Sequence, residues 1–267
     1  MWDFEHSPLD AELARRYRID RMSPAECAER LAAGTADIGL VPIASLAVNP
    51  SLRILPGCTI ASKGRVRSLL LVRRAAQPLT ALRSVAADTA SRTTIAYARI
   101  LFHKWGNPAV PFIPMPADLD RMLDRADAAI VIGDPALLAL EEQSNRFERT
   151  GEQLVYHDLA DEWLSVAGLP FVSAVWAASA GSSIHDQVCR DLNLSRIHGH
   201  ENLHRLIVEW SNRLPISEQV IAGYLSFNIH YILDEECVEG MRGFFRMAAE
   251  LGVLPAYTPS IQETVIR

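Results

Sequence analysis

The sequence predicts an α/β fold in which strands alternate with helices in two regions around a cleft. Short apolar runs typical of strands recur between segments whose apolar residues return every three or four positions, which is the helical period. Two such regions are joined by two chain crossings, and the pattern from residue 182 onward is helical. The alternation of strands with helices favours mostly parallel sheets, because parallel neighbours need a crossover connection.

The first region contains one helix with strong end signals. Ser23-Pro24-Ala25-Glu26 combines a capping box with proline at the first helical position, and Gly34 follows the last helical residue. The other elements are predicted from apolar runs and turn residues. They are part of a helix over 8–16, a short strand over 17–20, a buried strand over 37–42, a turn or short helix over 43–48, extended segments over 53–56 and 59–61, and an apolar strand over 68–72.

The second region opens with Ser84-Val-Ala-Ala-Asp-Thr-Ala-Ser-Arg-Thr-Thr94. This stretch begins as a strand, turns through small polar residues and enters a helix that Gly106-Asn107-Pro108 ends. A helix over about 134–142 is predicted to have Asp134 as its N-cap and Pro135 as its first residue. The remaining elements are strands over 111–114, 128–132 and 168–176, and helices over 117–125, 184–194, 201–214, 217–224 and 235–251.

The turn from Asp88 to Thr94 is the first candidate site. A hydroxyl-rich turn between a strand and a helix gathers unpaired backbone N–H groups and the positive end of the helix dipole, which suits a carboxylate or phosphate. The same residues also fit an ordinary capped turn without a ligand. Ligands of open α/β sheets bind outside the carboxyl ends of the strands, so the turns at Gly133-Asp134-Pro135 and at Pro42 are predicted to face the same crevice.

Composition narrows the function classes. The chain has 267 residues and a net charge of −6, which argues against a nucleic-acid-binding protein. No run approaches the ~18 apolar residues of a membrane span, and no signal-peptide pattern opens the chain as given. Four scattered cysteines without a Cys-x-x-Cys pair indicate free thiols in a reducing cytosol. Nucleotide cofactors and serine-hydrolase chemistry lack support, since their glycine-rich and Gly-x-Ser-x-Gly motifs are absent.

Two groups of histidines are weaker candidates for metal binding or acid–base catalysis. His198, His200 and His204 have a spacing that suits a metal ion, but only Glu201 adds a further ligand nearby. A solvated helix start is therefore the favoured interpretation, and we expect no metal site. His157 and Asp158 suit an acid–base pair, but adjacency in sequence does not make a dyad, so a structural or rim role is favoured.

Six stretches form one pattern in this order: Gly34-Thr-Ala-Asp-Ile-Gly-Leu-Val-Pro42, Ile60-Ala-Ser-Lys-Gly-Arg-Val-Arg-Ser68, Ser91-Arg-Thr-Thr94, Ile130-Val-Ile-Gly-Asp134, His157-Asp-Leu-Ala-Asp-Glu-Trp163, and Gly168-Leu-Pro-Phe-Val172 with Ala174-Val-Trp176. Over nearly all of the chain, this pattern resembles the chorismate dehydratase family of the futalosine route to menaquinone. The combination of Ser-Arg-Thr-Thr with Gly-Leu-Pro-Phe-Val and Ala-Val-Trp is highly specific.

The resemblance implies a two-lobed fold similar to type II periplasmic binding proteins, with residues 1–73 and 174–267 in one lobe and 74–173 in the other. It implies dehydration of chorismate to 3-[(1-carboxyvinyl)oxy]benzoate in the cytoplasm, without a metal or organic cofactor, and leaves the oligomeric state open. Ser91 is the expected catalytic residue. The expected substrate-binding residues are Ser68, Ser91, Arg92, Thr93, Thr94, Gly133 and Asp134, with the Gly64 loop approaching from the first lobe.

The chain departs from the family pattern at its start. The family opens with a strand ending in an Asn-bearing Leu-Asn-Thr-x-Pro-Leu motif, and Met1-Trp2 resembles the residues that follow it. The favoured interpretation is that this first strand is missing, in which case we expect weak substrate binding and little activity. Two alternatives share the fold: a solute-binding protein without chemistry, and the sister enzyme of the pathway that cleaves a futalosine-derived nucleoside.

Overall fold

The computed structural model describes residues 1–6, 9–88, 92–182 and 186–261. The strands are β1 (Ile38–Pro42), β2 (Arg53–Ser62), β3 (Leu69–Arg74), β4 (Val85–Asp88), β5 (Phe112–Met115), β6 (Ala128–Ile132), β7 (Leu154–Asp158), β8 (Phe171–Ala178) and β9 (His230–Leu233). The helices are α1 (Asp10–Arg16), α2 (Pro24–Ala32), α3 (Ala44–Val48), α4 (Arg92–Lys104), α5 (Leu119–Arg125), α6 (Asp134–Glu141), α7 (Gln143–Thr150), α8 (Leu159–Ala167), α9 (Asp186–Glu201), α10 (Leu203–Arg213), α11 (Glu218–Gly223) and α12 (Glu235–Glu250). A π-helical turn spans Tyr224–Asn228. Among the described helices, none is long and apolar enough to cross a membrane.

The strands form two sheets. The smaller sheet has the order β1-β8-β2-β9, and each neighbouring pair in it is antiparallel. The larger sheet has the order β5-β4-β6-β3-β7, in which β5, β4 and β6 are parallel while β3 runs antiparallel to both of its neighbours. The α/β class is confirmed, but the expectation of mostly parallel sheets is wrong. β8 returns from the second region and inserts between β1 and β2, a long-range pairing that alternation along the chain does not reveal.

Local capping signals place several helices correctly. The Ser23 hydroxyl accepts the backbone N–H of Glu26 at 3.2 Å at the start of α2, as predicted. α6 begins one residue earlier than predicted: Gly133 is its N-cap and Asp134 its first residue. Gly133 adopts φ 65° and ψ −141°, a backbone conformation that residues with a side chain avoid, so the turn closes before Asp134. The predicted strand over 17–20 is wrong, since those residues have no regular structure.

An aromatic cluster joins the two sheets into one continuous core. The Tyr97 ring of α4 stacks on Phe171 of β8 at 3.9 Å and on Phe244 of α12 at 4.2 Å, and meets the edge of Trp163 of α8. The Tyr97 hydroxyl accepts the backbone N–H of Val172 at 3.2 Å. Offset and edge-on ring contacts add to the burial of large apolar surfaces. Elements of both sheets are therefore held together at this cluster.

The chain passes from one sheet to the other through two short segments. Residues 63–68, here called the crossover, lead from β2 in the smaller sheet to β3 in the larger, and residues 168–170 lead from α8 back to β8. β3 thus belongs to the larger sheet, although the lobe boundary expected at residue 73 lies near its end. The division into lobes at 73 and 173 stays a prediction.

Candidate active site

One edge of the larger sheet, here called the carboxyl edge, gathers most of the predicted site residues. β4, β6 and β7 run in the same direction and end there, while the antiparallel β3 begins there. The helices α4, α6 and α8 follow these three strand ends. Their N-terminal N–H groups and positive dipole ends therefore converge on one region, which favours an anionic ligand.

Ser68 and Gly133 lie side by side at the carboxyl edge. The backbone N–H of Gly133 donates to the carbonyl of Ser68 at 2.8 Å. Ser68 is 5% exposed, and its hydroxyl accepts a hydrogen bond from the hydroxyl of Tyr224 at 3.0 Å. Asp134 follows Gly133 and is exposed at the start of α6. Three of the predicted binding residues are thus brought together.

The Asp158 carboxylate fastens the crossover to the carboxyl edge. Its Oδ2 accepts the backbone N–H groups of Val66 at 3.0 Å and Arg67 at 2.6 Å. Its Oδ1 accepts those of Ala160 at 3.1 Å and Asp161 at 3.3 Å, so Asp158 also caps α8. Burial raises the pKa of the Asp158 carboxyl, and the four N–H donors oppose that rise. Its role is therefore structural, in line with the favoured interpretation.

The crossover backbone is strained next to Ser68. Among the non-glycine residues that the structure describes, only Arg67 has a positive φ, of 65°. Such a conformation costs energy for a residue with a side chain and persists where the surroundings hold it. The bond from its N–H to Asp158 is one such restraint, and the Arg67 guanidinium lies 3.3 Å from Glu141 of α6. The strained residue Arg67 is therefore adjacent to Ser68, a predicted ligand-binding residue.

The three helix N-termini at the carboxyl edge differ in the charged residues beside them. α8 is capped by Asp158, and α6 carries the negative charge of Asp134 in its first turn. The first turn of α4 contains no acidic residue and begins with Arg92. Arg92 therefore adds positive charge to the start of α4, which favours an anion there.

The described residues at the start of α4 have different surroundings. Thr93 is 1% exposed, and its Oγ1 accepts the backbone N–H of Ala44 at 3.1 Å. It thereby satisfies the start of α3 and ties α4 to the end of β1 in the smaller sheet. Thr94 is also buried. Arg92 is exposed and its guanidinium lies 3.8 Å from Glu29 of α2, while Ser91 lies outside the described residues.

Tyr224 is a site residue that sequence reasoning missed. It lies 156 positions from Ser68 and begins the π-helical turn after α11. Burial raises the pKa of its hydroxyl, and the nearby negative charge of Asp134 adds to that rise. The segment was predicted as a helix end, which gave no reason to connect it with the crossover. A tyrosine in a predicted helix carries no signal for such a contact.

The weaker histidine candidates are engaged in structural contacts. His157 Nδ1 lies 2.7 Å from Glu162, and its Nε2 accepts from Arg73 at 3.0 Å. His198 lies in the last turn of α9 rather than at a helix start, so that prediction is wrong, and its Nδ1 is 2.7 Å from the buried Asp3. The helix continues past the position where the sequence pattern weakened.

One further group has the composition of a metal site. Ligand atoms of His230, Asp234 and Cys237 lie within 4.8 Å of one another. The Lys63 ammonium, however, is 2.7 Å from Asp234 Oδ2, and Asp234 Oδ1 accepts the N–H of Cys237 as the cap of α12. Burial raises the pKa of the Cys237 thiol to about 12, which disfavours the thiolate that a metal requires. The Lys63 ammonium thus takes the position beside Asp234 that a metal ion would occupy.

Two cavities lie away from the carboxyl edge. One, of about 260 Å³, is lined by residues 50–53, Tyr257, Thr258 and Ser260. The other, of about 590 Å³, lies behind the second crossing between Lys63, residues 168–170 and the start of α12. Neither is lined by Ser68, Thr93 or Gly133.

The chain is similar to several known proteins. The chorismate dehydratase of Thermus thermophilus is 28% identical over 253 residues, covering 91% of this chain and 90% of that protein. Protein AF1704 from Archaeoglobus fulgidus superposes with a TM-score of 0.65 at 15% identity, over 95% of this chain and 94% of that one. The periplasmic aliphatic sulphonate binding protein SsuA from Escherichia coli superposes with a TM-score of 0.59 at 12% identity, over 96% and 88% of the two chains.

These structural likenesses confirm the fold expected from the sequence, that of the periplasmic binding proteins. The family assignment comes from the sequence comparison, in which the profile described as menaquinone biosynthesis matches residues 3–250. That match spans both sheets and the crossover between them. The chain therefore belongs to the menaquinone-biosynthesis family.

Proposed function

We propose that the protein is a lyase that removes water from chorismate and forms 3-[(1-carboxyvinyl)oxy]benzoate. The observation that carries this proposal is the convergence of three helix N-termini and the Ser68 hydroxyl on one edge, together with the likeness to a protein named chorismate dehydratase. Chorismate carries two carboxylates, and local positive potential is what binds them in a chain with a net charge of −6.

The proposed reaction is an elimination. The bond from the ring carbon to its hydroxyl breaks, the neighbouring ring carbon gives up its proton, and the electron pair of that C–H bond forms the new ring double bond. Hydroxide and proton leave together as water, and aromatisation of the ring drives the step. Such chemistry depends on holding the carboxylates and stabilising the departing oxygen more than on a strong nucleophile.

The residues have separate roles in this proposal. Ser91 stands closest to the chemistry, and the backbone at the start of α4 holds a carboxylate. The exposed pair between Arg92 and Glu29 at 3.8 Å is weak, so the guanidinium is available to a second carboxylate. Thr93 and Thr94 complete the turn, while Ser68, Gly133 and Asp134 form the opposite wall. As the resemblance implies, the reaction takes place in the cytoplasm and uses no metal or organic cofactor.

The test is incubation of the purified protein with chorismate while the absorbance of the ring diene and the mass of the product are followed. Ser91→Ala is expected to lower kcat/KM by roughly 100-fold, as loss of one preorganised donor does. Ser211→Ala, which removes an exposed hydroxyl on α10, is the matched control and leaves the rate unchanged. Binding of chorismate without turnover would contradict the proposal and favour a solute-binding protein, and cleavage of a futalosine-derived nucleoside would favour the sister enzyme.

A further inference from the structure

Ser68 is held at three independent points. Its carbonyl accepts the N–H of Gly133 at 2.8 Å, and its hydroxyl accepts from Tyr224 at 3.0 Å. The preceding residue, Arg67, keeps its positive φ and donates its N–H to Asp158. The Gly133 bond continues the antiparallel ladder between β3 and β6, but the Tyr224 bond and the positive φ of Arg67 are not part of the sheet. Fixing of both the backbone and the hydroxyl indicates that the direction of this hydroxyl matters.

Tyr224 reaches Ser68 from a separate arm of the chain. The arm, residues 203–228, comprises α10, α11 and the π-helical turn, and it packs on α6 through Leu137, Ile216 and Ile221. Its end is bonded to the crossover a second time, because the Asn228 side chain donates to the carbonyl of Arg65 at 2.9 Å. π-helical turns are uncommon and occur frequently at functional sites. The arm therefore sets the position of the Tyr224 hydroxyl with respect to the crossover.

The donor direction decides what the Ser68 hydroxyl can do. A serine hydroxyl has one proton and two lone pairs, and the O–H of Tyr224 already occupies one lone pair. The Ser68 proton must therefore point away from the Tyr224 hydroxyl, toward another acceptor. A donor that accepts a hydrogen bond is also polarised into a stronger donor. Because its raised pKa keeps Tyr224 protonated, it remains a donor at neutral pH.

We infer that Tyr224 is a positioning residue, which orients and polarises the Ser68 hydroxyl so that it donates to an oxygen of the anionic substrate at the carboxyl edge. The oxygen is either a carboxylate oxygen or the departing hydroxyl, and both are acceptors for the same donor. The inference rests on the proposed function and adds to it the residue that acts through Ser68. Tyr224 itself does not touch the substrate.

The test is a double-mutant cycle with Tyr224→Phe and Ser68→Ala, measured as kcat and KM for loss of chorismate. Tyr224→Phe keeps the ring and removes only the hydroxyl, so it is expected to lower kcat/KM about five-fold, the effect of one neutral hydrogen bond. Ser68→Ala removes a donor to a charged or departing oxygen and is expected to lower kcat/KM about 10- to 100-fold. The double variant is expected to match Ser68→Ala, because Tyr224 has nothing left to act through.

Tyr17→Phe is the matched control. The Tyr17 hydroxyl donates to Asp191 of α9 at 2.6 Å, so the same chemical change removes a hydrogen bond away from the carboxyl edge and leaves the kinetics of chorismate loss unchanged. An unchanged kcat/KM in Tyr224→Phe, or effects of Tyr224→Phe and Ser68→Ala that multiply in the double variant, would overturn the inference. A wild-type protein that consumes no chorismate would instead reject the proposed function, so the two failures are distinguishable.

Discussion

Removal of the Asp158 carboxylate tests how strongly the crossover is held at the carboxyl edge. Asp158→Ala leaves four backbone N–H groups without their acceptor, two on the crossover and two at the start of α8. Loss of a helix cap costs about 1 kcal/mol. Each buried N–H left without a partner on the crossover costs about 1–3 kcal/mol.

Relief of carboxylate burial offsets part of this cost, because burial raises the pKa of Asp158 and so disfavours its charged form. The net expectation is a loss of about 3 kcal/mol in the free energy of unfolding. Asp158→Asn is expected to lose about 2 kcal/mol. The amide keeps one acceptor oxygen for one pair of N–H groups, but its NH₂ faces the other pair, where no hydrogen bond forms.

The assay is urea unfolding at neutral pH, with Asp118→Ala as the matched control. Asp118 accepts one backbone N–H, that of Arg121, and caps only α5. Its replacement is expected to cost about 1 kcal/mol. If Asp158→Ala is no more destabilising than Asp118→Ala, the carboxylate does not fasten the crossover and the reasoning from its four hydrogen bonds fails.

Two further predictions concern backbone strain and pH. Gly133→Ala is expected to lower the free energy of unfolding by about 1–3 kcal/mol, because its φ of 65° with ψ −141° suits glycine, although no atom lies within 4 Å of an added Cβ. Gly223→Ala, at an open helical position, is the control and is expected to raise the free energy of unfolding by about 0.5–1 kcal/mol in the same urea assay. Equal effects of the two substitutions would refute the strain argument. The Arg83 guanidinium binds both oxygens of Asp127 and holds the pKa of that carboxyl well below its usual range. The stability that this carboxylate contributes is therefore present above the ordinary Asp pKa of about 3.9 and is lost as the pH falls through the lowered value. The stability gap between wild type and Asp127→Asn should shrink from pH 7 toward pH 3, and a gap independent of pH would contradict this.

Local signals in the sequence were sufficient for several elements of the site. Ser23 and Pro24 marked the start of α2, and the apolar run over 128–132 coincides with β6. Gly133 was predicted as part of the turn that ends this strand, and it is the N-cap of α6. These features depend on capping, burial and turn chemistry, which act over a few residues and are visible in the chain itself.

Long-range pairings account for what the sequence did not reveal. Insertion of β8 between β1 and β2 makes the smaller sheet antiparallel, and strand pattern alone does not specify a strand's neighbours. The bonds from Asp158 to the crossover and from Tyr224 to Ser68 join residues far apart in the chain. The positive φ of Arg67 has no local signal in the sequence, since glycine or asparagine is the usual residue in that conformation.

The most direct test of the central claim is conversion of chorismate by the purified chain, with the product identified by mass and by its aromatic spectrum. The proposal predicts loss of one water per chorismate consumed and formation of 3-[(1-carboxyvinyl)oxy]benzoate, without added metal or cofactor. Tight binding of chorismate with its diene absorbance unchanged would contradict the claim.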